Sequence, residues 1–335
     1  MGRLLQRNAW LIPYLLLAPG LLWLGVFYVY PGIQMFLTSL WTGTLEKGFD
    51  LTWNWSTYGD ALNQYGPQFL RSIVYAGAAT VLTFLISYPL AYTIAVKGGR
   101  YKNLLLFLVI APFFTSFLLR TLSWGLILGD DGVVLGPLKG LGIVSEDFRL
   151  LATPIAVVSG ITYNFLAFMT LPIYVSLEKV DKRLVEAAQD LYAGPWRPGG
   201  TIWGGIVGGL TGALLALAFA ISPLIMGLIG VVIGAWVGTF LISQAFLRVT
   251  LPLSLPGVFA GTLLTFIPAA GDFVNAELLG NPSTRMIGNV IQSRFLTLND
   301  YPVAAALSFI LMAGILAAVA VYARLLGTEE LTSAA

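Results

Sequence analysis

Residues 185–196 read VEAAQDLYAGPW, a charged, alanine-containing stretch with helical character that closes on Gly194-Pro195 in the middle of an otherwise greasy chain. How this stretch is read decides the fold. The 335 residues are 57% hydrophobic and only 10% charged, where a soluble domain carries about 25% charged residues. A soluble core of this size cannot hide so much apolar surface, so the bilayer is the solvent for most of the chain. A polar helix interrupting such a sequence belongs to a connection between membrane spans.

Crossing the hydrocarbon layer takes about 20 apolar residues. Apolar runs of that length predict spans over 10–30, 70–96, 103–128, 151–177, 203–221, 224–242, 253–271 and 302–324. The first begins after Arg3 and Arg7, is longer than a signal-peptide apolar region and lacks a convincing cleavage site, so it reads as an uncleaved span. With the N-terminus inside, eleven Lys and Arg fall in inside segments and six in outside ones. That bias predicts both termini in the cytoplasm. It also puts VEAAQDLYAGPW there. Two outside segments are long. Residues 31–69 carry Trp41, Trp53, Trp55 and Tyr58, an interfacial aromatic belt with lateral helices or a docking surface; residues 272–301 read as a polar lid or docking loop.

The chain has no Cys and no His. Disulfides, thiol nucleophiles, the commonest general base and the commonest transition-metal ligands are therefore missing, which points away from an enzyme. A net charge of +2 is too small to argue for nucleic acid.

Between Glu178 and Leu191 there is no Gly or Pro, and Leu177, Val180, Leu184, Ala188 and Leu191 form one apolar stripe at helical spacing. Such an amphipathic helix either rests on the bilayer surface or inserts into a groove on a cytoplasmic partner. The small side chains of Ala187 and Ala188 beside Glu186 suit close approach with one charged anchor.

EAAQDLYAG, followed downstream by VTLPLSLPG (Val249 to Gly257), resembles the coupling loop of ABC importer permeases. PFFTSFLLRTLSWGLILGDDGVV (Pro112 to Val134), ITYNFLAFMTLPIYVSLEKVDKRLVEAA and FIPAAGDFVNAELLGNPSTRMIGNVIQSRFL (Phe266 to Leu296) are similar to permeases of spermidine/putrescine importers, over most of residues 10–325. The resemblance implies an all-α polytopic protein of the bacterial cytoplasmic membrane with a six-helix permease core. It implies that Glu186, Ala187, Ala188 and Asp190 dock into an ATPase subunit, with Gly194 at the exit turn. Partners would be an ATPase dimer, a second homologous permease, an external binding protein, membrane lipid and a polyamine. No cofactor is expected in this chain; ATP and Mg would be bound by the ATPase, since no GxxxxGK[ST] loop is present.

One departure from the family is large. Glu186 and Pro252 stand 66 residues apart, well beyond the family's interval. Pro198 to Gln244 accounts for the excess: an uncharged stretch broken once, at Ser222-Pro223. A single helix of that length would run about 60 Å, twice the bilayer. Two helices would just span it, and glycines at 204, 208, 212 and at 230, 234, 238 would let them pack closely. The expected organisation is permease core over 1–197 with four spans and the coupling helix, an inserted Gly-rich hairpin over 198–244, and permease core over 245–335 with two spans. The hairpin reads as self-packed, as regulatory, or as partly inserted or artificially joined.

A polyamine path needs acids or carbonyls for the ammonium groups and aromatic faces for cation–π contact. Asp272 and Glu277 stand at the outer end of the span after the Leu-Pro pair; Tyr163, Asn164 and Phe165 lie in the fourth span and Trp124 in the third. Asp272 is the leading candidate, set against a structural role as a helix cap or as partner to Arg285 or Arg294. Arg120 reads as a structural partner to a carbonyl or acid, and Asp130-Asp131 as a surface turn. The competing classes are a permease for another small solute such as a ferric complex or organic anion, a stand-alone channel or carrier, and an intramembrane enzyme. No internal repeat supports a carrier, and the missing His and unpaired Asp272 disfavour an enzyme.

Overall fold

The computed structural model describes residues 11–142, 144–181, 183, 184, 187, 190 and 246–326. The spans expected at 203–221 and 224–242, and the hairpin they would form, lie outside these residues. The chain divides into two compact units: Met1–Phe69 with Val290–Leu316, and Leu70–Asn289 with Ala317–Ala335. Five described helices are long and apolar enough to cross a membrane, and a bent pair makes up to six. The all-α polytopic reading therefore holds, and the six core spans match in number.

In the first unit, α1 (Leu11–Leu24) runs through a π-helical turn (Gly25–Val29) into α2 (Tyr30–Ser39). The first span thus extends past residue 30, since the backbone stays helical through Val29 and Tyr30 and Pro31 lies within the continuous helix. The lateral helices expected next are replaced by an antiparallel ribbon, β1 (Trp41–Thr44) and β2 (Gly48–Leu51), with Trp41 opposite Leu51 and Thr44 opposite Gly48. Gly43 has φ +141°, and a methyl there would lie 2.0 Å from the Gly48 carbonyl oxygen, so only glycine fits. Rings hold the unit together: Phe36 packs edge-on to Phe309 at 5.6 Å, and Tyr301 contacts Phe49 and Phe295. Arg294 is anchored by Tyr65 and by Asp300 at 2.8 Å.

α3 (Ser56–Tyr92) continues as a π-turn to Lys97. Those 42 residues measure about 60 Å at 1.5 Å each, so the polar first part with Asp60, Asn63 and Gln64 exceeds what the hydrocarbon layer needs. In the second unit the third span is not one rod. α4 (Lys102–Ile110) passes through a 3₁₀ turn (Ala111–Phe114) and bends by 96° into α5 (Phe117–Leu128). Pro112 removes a backbone donor, and Thr115 is extended at ψ 150°. The turn after α5 leads into α6 (Leu135–Gly140), and Asp130 there pairs with Lys139 and Arg149.

α7 (Pro154–Lys179) is the most buried span. Thr153 caps it by accepting from Ala156 N, and Pro154 occupies its first turn. α8 (Leu251–Ala270) begins at the Leu-Pro pair and continues a π-helical turn over Phe246–Thr250, with Thr250 itself helical. α7 and α8 approach closely at Gly257 and Gly261: a methyl at Gly257 would meet the Pro172 oxygen at 2.4 Å, and one at Gly261 the Met169 oxygen at 3.1 Å. Small residues four apart permit this contact in lipid. Hydroxyls join α3 to α7, with Ser87 donating to the Leu166 carbonyl at 3.1 Å and Thr170 to Ser87 at 2.9 Å. The segment 272–301 is not an open polar loop. It holds α9 (Val274–Leu279), α10 (Ile287–Gln292) and a π-turn (Ser293–Thr297), with an Asn281 capping box between.

Candidate functional site

Two places in the second unit collect the residues singled out above. The first is the exit of α7. Leu177 is buried beside Ile173, Tyr174 and Met169 in the main apolar cluster, and Lys102 pairs with Glu178. The helix stops at Lys179, since Val180 turns to an extended ψ of 124°. One continuous stripe from Leu177 to Leu191 is therefore not what forms. Leu177 belongs to the span, and a new helical stretch starts beyond Asp181. Asp181 Oδ1 accepts from Arg183 N at 2.9 Å and its carbonyl from Leu184 N at 3.0 Å, which is N-cap geometry. Residues 183, 184, 187 and 190 are helical, and Leu184, Ala187 and Asp190 are exposed. Glu186, Ala188 and Gly194 lie outside the described residues.

The second place is a buried polar network where α5, α7 and α9 meet. Asn164 Nδ2 donates to Thr121 Oγ1 and to Asn275 Oδ1, both at 3.1 Å. Asn275 Nδ2 donates to Asp272 Oδ2 at 2.7 Å, and its backbone N to Asp272 Oδ1 at 2.8 Å. Asn164 is 1% exposed and Asp272 7%. Burial pushes the Asp272 carboxyl above the usual carboxylate range, and the two bonds from Asn275 oppose that rise. Asn164 Oδ1 is buried with no hydrogen-bond partner among the described residues. The network is tight because Gly160 lets Asn275 in: a methyl at Gly160 would lie 2.7 Å from Asn275 Oδ1. Trp124 packs on Tyr163 with centroids 5.4 Å apart.

Asp272 and Asn164 are thus joined, but through Asn275. Of the structural roles considered for Asp272, the cap is realised; no ion pair involves it among the described residues. Glu277 stands apart on the exposed side of α9, accepting from Asn289 Nδ2 at 3.0 Å. Phe165 faces Phe117 and Phe168. Arg120 meets rings: its guanidinium carbon lies 5.0 Å from the Phe113 centroid and 5.8 Å from that of Phe117. The expected carbonyl or acid partner is not what the described contacts supply. Sequence reasoning missed Asn275, Thr121 and Gly160. Asn275 follows Asp272 by three, the spacing of an N-cap and its receiver, and that signal was legible. Nothing local marks Thr121. No group of three or more acidic side chains among the described residues could hold a metal.

Comparison with known proteins agrees with this architecture. A family model described as "Binding-protein-dependent transport system inner membrane component" matches residues 243–326. The chain is 33% identical over 287 residues to the spermidine/putrescine transport system permease protein PotB of Haemophilus influenzae, covering 85% of this chain and 84% of that one. It is 31% identical over 290 residues to PotB of Escherichia coli K12, covering 86% and 88%. Among solved structures, a bacterial ABC transporter involved in the import of the acidic polysaccharide alginate superposes with a TM-score of 0.62 at 18% identity, covering 97% of each chain.

Proposed function

We propose a function on one premise: the chain belongs to the family of binding-protein-dependent transport system inner membrane components, with the PotB permease proteins among its relatives. It forms part of the translocation path of an ATP-driven importer and takes its driving force from a separate ATPase. The observation that carries this is the exit of α7: a span locked into the main apolar cluster at Leu177 ends in a break, and the next helical stretch is capped by Asp181 with its Ala187 and Asp190 exposed. A rigid span joined to a short exposed helix is what transmission of a push requires. Glu186, Ala187, Ala188 and Asp190 make the contact, with Gly194 at the exit.

The cargo is a polyamine, spermidine or putrescine. The names of the relatives support this, and so does the chemistry of the buried network. Asp272 offers a carboxylate, Asn164 Oδ1 an acceptor without a partner among the described residues, and Trp124 with Tyr163 two aromatic faces. Ammonium groups are held by such a set. Glu277 belongs to the outer approach rather than to this set. Further partners are a second permease and an external binding protein. The Lys/Arg bias supports both termini in the cytoplasm; the hairpin expected from the sequence at 198–244 would add an even number of crossings and leave the topology on either side unchanged.

The test is Glu186→Lys in the assembled transporter. Co-purification of the ATPase and uptake of labelled spermidine should both fall to background. Full assembly and uptake would overturn the coupling assignment, and uptake of another solute but not spermidine by the unaltered complex would overturn the cargo.

A further inference from the structure

Where the broken span meets α7, four phenylalanines pack in a chain of ring contacts, and a cation lies over two of them. Phe113 and Phe168 pack edge-on at 4.7 Å, Phe165 and Phe168 lie 5.9 Å apart, and Phe117 and Phe165 6.4 Å. The Arg120 guanidinium sits over two of these rings, at 5.0 Å from Phe113 and 5.8 Å from Phe117. Its Nε is buried and has no hydrogen-bond partner among the described residues. No salt bridge of Arg120 is found among those residues. An arginine that neither pairs with an acid nor reaches a carbonyl through Nε is an expensive occupant of a membrane span. Ring faces are the compensation this site gives it.

We propose that the Phe113–Phe117–Phe165–Phe168 box is a cation-binding station on the transport path, and that Arg120 is its tethered occupant when no substrate is present. This rests on the polyamine reading above. The box has the chemistry that takes an alkylammonium group: several aromatic faces and, among the described residues, no acid in an ion pair with the cation there. Phe168 also lines an apolar groove of about 440 Å³ between α7 and α8, with Leu171, Pro172, Pro256 and Ala260. Ammonium in the box and methylenes along the groove match the alternation of charge and hydrocarbon in a polyamine. With Arg120 in place the box is filled and carries a positive charge, so free cations are repelled and the resting path does not leak. During transport the substrate must displace the guanidinium, which the bend at Thr115–Ser116 allows, since α5 is not continuous with α4.

The experiment uses the complete transporter in vesicles loaded with labelled spermidine and held without ATP. The unaltered complex should retain its load. Arg120→Gln, which empties the box of charge, should release spermidine about tenfold faster, the scale of one lost cation–π contact and charge barrier. Arg120→Lys, which keeps a cation, should retain the load. Phe117→Leu, which loosens the seat but leaves the arginine, should give an intermediate leak and serves if Arg120→Gln does not assemble. Tight vesicles with Arg120→Gln that still take up spermidine with ATP, or equal leaks from the Gln and Lys variants, would overturn the proposal. So would a tight Phe117→Leu variant. Failure of the unaltered complex to take up spermidine with ATP would instead sink the cargo reading.

Discussion

At the residue scale, Gly160 and Asp272 show what the polar network demands. Alanine at 160 would put its methyl 2.4 Å from Leu279 Cδ1 as well as against Asn275. Overpacking of this kind costs about 1–3 kcal/mol. Gly160→Ala should therefore lower the melting temperature of the purified protein, whereas Gly20→Ala, where nothing lies within 4 Å, should not. Asp272 makes a pH prediction. Its folded carboxyl titrates above its unfolded one, so the folded state holds the proton more tightly. Its contribution to stability is then largest at low pH and declines as pH rises from about 3.9, the unfolded value, through the raised folded one. Melting temperatures of the native protein should fall relative to those of Asp272→Asn across that window; parallel curves would remove the buried carboxyl from the account. An ammonium group beside Asp272 favours the ionised form, so spermidine binding should strengthen as pH rises through the same window.

At the element scale, the break between α7 and the helical stretch beyond Asp181 is the feature to test. Losing an N-cap costs about 1 kcal/mol. Asp181→Ala should reduce spermidine-stimulated ATP hydrolysis by the assembled transporter several-fold, and Asp181→Ser, which can still cap, should restore most of it. Equal loss in both would mean that charge rather than capping matters at this position. The α7–α8 contact is a second element-level device. A methyl at Gly257 would lie 2.4 Å from the Pro172 oxygen and 2.5 Å from Ser176 Oγ. Backbone cannot yield as a flexible side chain would, so Gly257→Ala should abolish folding or uptake while Gly314→Ala, in open space, is tolerated. Several of these elements were visible in the sequence as apolar runs. The ribbon at Trp41–Leu51 was not, because two four-residue strands carry too few alternations to stand out from an aromatic-rich stretch. The bend in the third span was hidden as well: hydropathy sums apolar character and is blind to the direction in which a backbone turns.

At the scale of the whole molecule, the family relation and the spans describe a membrane subunit of a transport system. If residues 198–244 are a tolerated hairpin, joining Arg197 directly to Ala245 should leave ATP-driven uptake near the native level, measured against the intact transporter. Loss of uptake with normal assembly would give the segment a part in transport. The EAA stretch stands out in the sequence because it is contiguous, polar and set between apolar runs. The candidate site was legible only in pieces. Asp272, Asn164, Phe165 and Trp124 could each be named from chemistry, since polar or aromatic groups in a membrane span ask for a reason. The network that joins Asp272 to Asn164 could not, for its connecting residues Thr121 and Asn275 are 154 positions apart in the chain.

Composition and apolar run length alone determined that this is a multi-span α-helical membrane protein, because a bilayer admits only segments that satisfy their own backbone bonds. The charge bias of the loops and the EAA stretch raise the further expectations of an orientation and a coupling partner, since both are read from contiguous sequence. Only the tertiary structure decided which buried groups meet: that Asn275 bridges Asp272 to Asn164, that Glu277 stands aside, and that Arg120 lies among rings. Those pairings depend on where a helix bends and how closely two backbones approach, and such distances are fixed by packing between segments remote in the chain, not by any one of them.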